Sequence, residues 1–352
     1  MLSKRQKLQG SHMKIAVIAK TRLPIAEPFR GGLESFTHSL CKEYIRLGHE
    51  ITLFAHVDSD PELNIKGFYG QEYRMDDHFE IYENDEYLSI LKFIEENEFD
   101  VVHNNSTHEL PIIWGVKASI PVVTTLHTPP ISKLKAAITI CSGAENLHFV
   151  IPSKSFEATW RPYLNRGSKL IYNGVDLDKW PMIRNRREYL FWFGRIVLAK
   201  GLDIALDAAH EMGIPLKFAG PVDDKKYFDE QIKPRIRIKD TYLGHLQQSD
   251  LHAHMSGATV MVNAVRWEEP FGLTNIEAMS SGVPVAGFDR GAFRELINID
   301  SGATADQRNI KSLIKAIETA IPLESNKVRL HAEKFSLTKM AKRYISYFEE
   351  LL

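Results

Sequence analysis

Lys14-Ile-Ala-Val-Ile-Ala19, then the run from Leu33 to Leu47, then Ile51-Thr-Leu-Phe-Ala55, decide the fold. The first and third pieces are short, apolar and biased toward β-branched residues, as buried strands are. In the second, Leu33, Phe36, Leu40, Tyr44 and Leu47 recur at steps of three or four, one face of a helix, and Gly48 stands where a helix commonly ends. Together they form a strand-helix-strand unit.

Working outward, further buried strands are expected at Val101-Val102, Pro121 to Leu126, Ala137 to Cys141, Phe149 to Ile151 and Leu170 to Tyr172. A second series is expected at Tyr189 to Phe193, Leu216 to Ala219, Ala258 to Val262 and Pro284 to Ala286. These runs hardly alternate, which is the pattern of parallel strands covered on both faces. Two successive α/β series imply two doubly wound, Rossmann-like domains facing a central cleft, with ligands beyond the carboxyl ends of the strands. Asn173 to Pro181 carries turn residues and little periodicity, so the boundary is placed there: a first domain over 13–172 and a second over 173–335. Met340, Tyr344, Tyr347, Phe348 and Leu351 make residues 336–352 an amphipathic helix that needs a surface, expected on the first domain. Lys233 to Lys239 alternates basic and apolar residues like the solvated face of an edge strand.

Of the 352 residues, the first twelve, ending in Gly10-Ser11-His12 before Met13, read as an expression tag. Apolar residues make up 44% and charged residues 25%, as in soluble globular proteins. The formal charge of -1 becomes -4 when the three cations Lys4, Arg5 and Lys7 are set aside, which leaves no basic footprint for nucleic acid. Cys41 and Cys141 are expected as buried thiols rather than a disulfide or metal framework. Met13 runs straight into a strand, which predicts no signal peptide, and no apolar run reaches the roughly 20 residues that span a bilayer. A cytoplasmic location is expected, with peripheral contact at the inner face of the membrane left open.

Trp267-Glu-Glu-Pro-Phe-Gly-Leu-Thr-Asn-Ile-Glu277 carries the most chemistry. A helix is expected from near Thr274 to before Gly282, and the structural reading of Thr274 and Glu277 is a capping box. A functional reading uses the same geometry: the loop at Gly272 lets backbone N–H groups approach a ligand, and the helix N-terminus favours an anion such as a diphosphate. Glu269 and Glu277 could then accept hydrogen bonds from sugar hydroxyls. Arg195 and Lys200 stand in Phe193-Gly-Arg-Ile-Val-Leu-Ala-Lys-Gly201, a strand-to-helix loop, where cations are often merely solvated. Gly31-Gly32 can be a simple helix entry, and His127, at the end of the strand Val122 to Leu126, can be a structural histidine.

The segment closely resembles the E-x7-E motif of the retaining glycosyltransferases of family 4, which have the GT-B fold, in the subgroup with W-E-E-P-F-G-L, I-E-A-M and a later R-G-x-x-x-E, here Arg290-Gly-Ala-Phe-Arg-Glu295. The loop at Arg195 similarly looks like the family's G-R-x-x-x-x-K-G. The resemblance implies that Arg195 and Lys200 clamp a diphosphate and that fixed cations stabilise the leaving group. It implies that Glu269 holds hydroxyls of the donor sugar, that amides of Phe271, Gly272 and Leu273 line its pocket, that Leu273 and Thr274 face the diphosphate, and that Glu277 binds the ribose. Gly31 and Gly32 would let the backbone approach the donor, His127 would orient a donor hydroxyl, and Leu246 would flank the base. The first domain would be the acceptor side and the second the donor side.

The implied activity is glycosyl transfer, with retention, from a UDP-, GDP- or ADP-sugar to a carbohydrate, lipid-linked or small-molecule acceptor in polysaccharide, lipopolysaccharide or other glycoconjugate biosynthesis. No cofactor or metal is expected: Asp58-Ser-Asp60 and Asp176-Leu-Asp178 have D-x-D form but lie in turns, and Arg195 and Lys200 are available for charge neutralisation. The rivals are an epimerase or phosphorylase on the same architecture and a catalytically silent nucleotide-sugar-binding subunit.

Overall fold

The computed structural model describes residues 12–68, 79–182 and 188–352; the tag, His12 apart, lies outside them. Two parallel sheets organise the chain. The first contains β1 (Lys14–Ile18), β2 (Glu50–Phe54), β3 (Ile65–Lys66), β4 (Val101–Asn104), β5 (Val122–Thr125), β6 (Leu147–Ile151) and β7 (Lys169–Leu170) in the order β3-β2-β1-β4-β5-β6-β7. The second contains β8 (Leu190–Phe193), β9 (Leu216–Ala219), β10 (Thr241–Tyr242), β11 (Val260–Asn263), β12 (Val285–Phe288) and β13 (Gly302–Ala305) in the order β10-β9-β8-β11-β12-β13. In each sheet the chain winds outward on one side of its first strand and then returns to the other side. The crevice that this reversal opens lies at the carboxyl ends of β1 and β4 in one sheet and of β8 and β11 in the other.

The helix Gly32–Arg46 buries Phe36, Leu40, Cys41 and Tyr44 against Ile15 and Val17 of β1 and Leu53 of β2. The same cluster takes Leu337, Met340, Ala341, Tyr344 and Phe348 from the C-terminal helix Leu337–Leu351. The chain thus crosses between the sheets twice, side by side: Val175 N–H donates to the Phe335 carbonyl and Leu337 N–H to the Val175 carbonyl, both at 2.9 Å. A Cβ on Gly174 would stand 2.6 Å from the Ser336 carbonyl oxygen, so the crossing requires glycine there. Beneath the returning helix, Tyr344 shares a 2.9 Å hydrogen bond with Thr125, which meets Nε2 of the buried His103 at 2.9 Å, while His103 Nδ1 meets the Tyr44 hydroxyl at 3.1 Å.

Three local expectations are corrected. Ala137 to Cys141 is the end of a helix, Ser132–Cys141, not a strand: Leu134, Ala137 and Ile138 are buried at helical spacing while Ile140 is 81% exposed. Four apolar residues around Thr139 are too few to distinguish the two periods. Lys233 to Lys239 is no edge strand, because Pro234 sits in a 3-10 turn, Lys233–Arg235, and Ile238 projects fully into solvent. Cys141 is only partly buried; both cysteines are free thiols.

Candidate functional site

The loop after β8 and the loop after β11 meet beside the N-terminus of the helix Leu273–Ser280. Lys200, in the first loop, places its ammonium 2.6 Å from Glu269 Oε2 in the second. The same oxygen accepts the Trp267 indole N–H at 2.9 Å, and the ammonium stands 5.2 Å from the centre of the Trp267 ring. Both members of the ion pair are partly exposed, so the pair faces the cleft rather than the core. Gly201 follows Lys200 at φ 68°, where a Cβ would lie 1.9 Å from the Ala264 carbonyl oxygen. Glycine is what lets the Lys200 loop lie this close to β11.

Arg195 reaches Asp223 at 3.4 Å, and Arg30, from the loop before the first helix, reaches the other oxygen of the same carboxylate at 2.9 Å. Three cations (Arg30, Arg195, Lys200) therefore stand in direct ion pairs with two carboxylates (Asp223, Glu269) at the mouth of the cleft, and the buried Glu34 carboxylate lies close by against Gly31. Gly31 and Gly32 form the adjoining wall: a Cβ on Gly31 would lie 4.0 Å from Arg195 Cδ and one on Gly32 would lie 3.5 Å from Leu273 Cδ1. Gly31 has an extended φ of -161°, open to any residue, so its use here is close approach rather than backbone freedom.

Gly272 caps the helix Leu273–Ser280 at φ 92° with no side-chain cap bond, which corrects the capping-box reading of Thr274 and Glu277. Thr274 lies inside the first turn, where no side chain caps the backbone N–H groups. Glu277 is 6% exposed, and its Oε2 has no hydrogen-bond partner. Burial alone pushes its pKa up to about 8. It lines a narrow crevice with Leu273, Phe36, Ser39, Asp176 and Lys179. Phe271 is buried, its ring near Tyr172 and Phe335, so only its backbone is available to a ligand. Leu246 is partly buried against the same apolar cluster.

His127 stands beyond β5, its ring edge-on to Phe36 at 4.7 Å. Burial lowers its pKa to about 3, so the ring is neutral. Its Nε2 meets Asn105 Oδ1 at 2.9 Å; with the proton on Nε2, Nδ1 is left as an acceptor. Asn105 lies beyond β4, is fully buried, and has an unpartnered Nδ2. Among the described residues no cluster of three or more metal-ligating side chains is present. Asp60 of the first D-x-D segment is engaged by His38 and Lys42 instead.

The structure therefore brings Lys200 and Glu269 together, sets Arg195 beside Gly31, Leu273 beside Gly32, and Glu277 in one crevice with Leu273, while His127 adjoins through Phe36. Sequence reasoning did not assign Asp223, Arg30, Trp267 or Asn105. Trp267 opens the quoted donor motif and Arg30 directly precedes Gly31; nothing local marks the pairings of Asp223 or Asn105.

Two family models tile this arrangement: "Glycosyltransferase Family 4" matches residues 30–179 and "Glycosyl transferases group 1" matches 178–336. The chain belongs to the group 1, family 4-like glycosyltransferases of GT-B fold. Their junction at 178–179 falls in the turn segment between the two sheets. Over 163 residues the chain is 28% identical to a glycogen synthase of Mycobacterium tuberculosis, a match covering 43% of this chain and 39% of that protein. The aligned stretch thus spans well under half of that relative. Among solved structures, a sucrose-phosphate synthase from Thermosynechococcus elongatus superposes with a TM-score of 0.81 at 17% identity, covering 97% of this chain and 99% of the other. Anabaena HepE in complex with UDP and glucose superposes at 0.75 with 18% identity, covering 97% and 100%. At such identities these structures speak for the fold. No described helix is long and apolar enough to cross a membrane.

Proposed function

We propose that this group 1 glycosyltransferase moves a glycosyl group from a nucleoside-diphosphate sugar to an acceptor hydroxyl, with retention at the anomeric carbon and without a divalent metal. The observation that carries the reading is the gathering of Arg195, Lys200 and Arg30 at the cleft beside the N-terminus of Leu273–Ser280, which no side chain caps. A diphosphate fits that chemistry, since it offers several anionic oxygens to guanidinium, ammonium and backbone N–H donors at once. Support comes from Anabaena HepE, a structural neighbour solved with UDP-glucose.

In this reading the amides at Phe271, Gly272 and Leu273, with Thr274, approach the donor, and Glu277 accepts from the ribose hydroxyls through its unpartnered Oε2. Glu269 Oε1 takes a sugar hydroxyl, while Oε2 stays with Lys200 and Trp267. His127 accepts a second hydroxyl through Nδ1. As the bond between the anomeric carbon and the phosphate oxygen breaks, negative charge grows on the leaving phosphate, where Arg195, Lys200 and the helix N-terminus stabilise it. That phosphate takes the acceptor proton on the same face. The acceptor sits on the first-domain side, and the enzyme works in glycoconjugate synthesis on the cytoplasmic side of the membrane.

The test is thermal unfolding with UDP, GDP, ADP and their sugar conjugates, with and without EDTA, on the wild type and Glu277→Ala. A ligand at about 100 times its Kd adds roughly 2.7 kcal/mol. One nucleotide family is expected to stabilise the wild type regardless of EDTA and to lose that effect in the variant. Stabilisation by none would overturn the reading; binding without turnover across a broad acceptor panel would favour the silent nucleotide-sugar-binding subunit, and loss of the effect in EDTA would overturn metal independence. Product NMR reads retention directly, and turnover of the nucleotide sugar without acceptor would favour the epimerase.

A further inference from the structure

Arg290-Gly-Ala-Phe-Arg-Glu295 has no part in the donor chemistry above, yet it is built against the donor loop. Arg290 pairs with Glu268 at 3.0 Å, the Gly291 amide donates to Glu268 Oε2 at 2.6 Å, and the Ala292 amide donates to the Glu269 carbonyl at 3.0 Å. Gly291 has φ 55°, and a Cβ there would lie 2.1 Å from the Glu269 carbonyl oxygen, so only glycine permits this contact.

At the far end of the motif, Glu295 leaves its own domain. Its Oε1 accepts the Lys154 amide at 2.9 Å and the Tyr172 hydroxyl at 2.5 Å, and its Oε2 accepts the Ser155 amide at 3.1 Å. All three donors belong to the first sheet's side of the molecule or to the strand of chain leading to the crossing. The same turn makes a second contact: the fully buried Ser153 donates its hydroxyl to the Pro270 carbonyl at 2.7 Å while accepting the Phe156 amide at 3.2 Å. Pro270 stands between Glu269 and Phe271. Residues 153–155 are therefore fastened to the donor loop itself and to the motif that buttresses it from behind.

The other polar contacts across the cleft are of a different kind. Arg30 to Asp223, Lys179 to Glu27, His245 to the Phe29 carbonyl and Gln248 to Ser35 join polar groups at or near the exposed rim. Such pairs exchange readily with water. Glu295's bonds to the Lys154 and Ser155 amides are also exposed but are charge-assisted and made to fixed backbone donors, its bond to the Tyr172 hydroxyl is partly buried, and Ser153 and Pro270 are buried.

We propose that Glu295 is a positioning residue: it makes the 153–155 turn the fixed joint about which the two domains close, and through Ser153 and Pro270 that joint sets the placement of Glu269 to Gly272. In its effect on catalysis this rests on the donor site proposed above; as a statement about the donor loop it does not. The experiment compares Glu295→Ala, Glu295→Gln and Ser153→Ala with the wild type by hydrogen exchange of the ligand-free segment 266–275, nucleotide affinity, donor KM and kcat, and thermal unfolding. Glu295→Ala is expected to speed exchange in that segment and to raise donor KM about 10-fold or more with a fall in kcat, since small misplacements of binding groups are costly. Glu295→Gln, which keeps one acceptor oxygen, should fall between, and Ser153→Ala should reproduce the exchange change. Wild-type exchange and kinetics in both Glu295→Ala and Ser153→Ala would overturn the proposal, as would a drop in melting temperature with no change in exchange or in the KM and kcat of the folded variant. If Glu295→Ala does not fold, Glu295→Gln and Ser153→Ala decide it. A wild type that binds no nucleotide would sink the proposed function, while the exchange measurement would still test the joint.

Discussion

Glu277 is a carboxyl whose surroundings favour the proton: buried, with one oxygen unpartnered and a pKa raised from 4.5 to about 8. The folded state binds that proton more tightly than the unfolded chain, so this group's contribution is full below pH 4.5 and is lost as pH rises through about 8. His127 and His103 act in the opposite sense. Burial lowers both from 6.5 to about 3, so their contribution is present above pH 6.5 and is lost as pH falls through about 3. Glu277→Gln should raise ligand-free stability at pH 9 by roughly 2–5 kcal/mol and flatten the alkaline limb of the melting profile. An unchanged alkaline limb would show that Glu277 is not the group responsible. Because ribose hydroxyls are best held by the carboxylate, nucleotide affinity in the wild type should strengthen as pH rises from 6 toward 8, measured by calorimetry with proton release. Lys200→Ala should lower kcat by about 10²–10³-fold if its charge acts on the leaving phosphate, a loss that steady-state kinetics reads.

Among the elements, the C-terminal helix Leu337–Leu351 is a case of amphipathicity finding its surface. Its apolar stripe has no use at its own end of the chain and is buried instead with β1, β2 and the helix Gly32–Arg46. Phe348 is fully buried there, so Phe348→Ala should cost about 3–5 kcal/mol in chemical denaturation. The loop after β8 is tuned differently. Gly201→Ala meets both a left-handed backbone and the Ala264 carbonyl, so it should destabilise by roughly 2 kcal/mol or more and also weaken nucleotide binding by shifting Lys200. Equal binding in the folded variant would count against Lys200 as a diphosphate ligand.

For the whole molecule, two crossings of chain and the Glu295 contacts make one side of the cleft firm, while Arg30, Glu27, Phe29 and Ser35 bridge the other through polar contacts with the second domain. Exposed ion pairs are worth about 0–1 kcal/mol and weaken with salt. Arg30→Ala should therefore leave the melting temperature nearly unchanged while enlarging the radius of gyration of the ligand-free protein in small-angle scattering. A large loss of stability with no change in size would mean that Arg30 holds the fold rather than the cleft.

The sequence by itself determined the alternation of short apolar runs with amphipathic helices, and so the two α/β sheets, because period and breakers are local properties. It also marked Arg195, Lys200, Glu269 and Glu277 as candidates, because their contiguous motifs resemble those of the family 4 glycosyltransferases. It could not tell helix from strand at Ala137 to Cys141, where four apolar residues satisfy either period, nor foresee that Gly272, not Thr274, caps the helix that carries Glu277. Asp223 between two arginines, Asn105 on His127, and Glu295 on the 153–155 turn were decided by the tertiary structure alone. Each joins groups that lie on separate loops or helix ends, 22 to 193 positions apart, and such pairings exist only once the sheets have fixed where those segments lie.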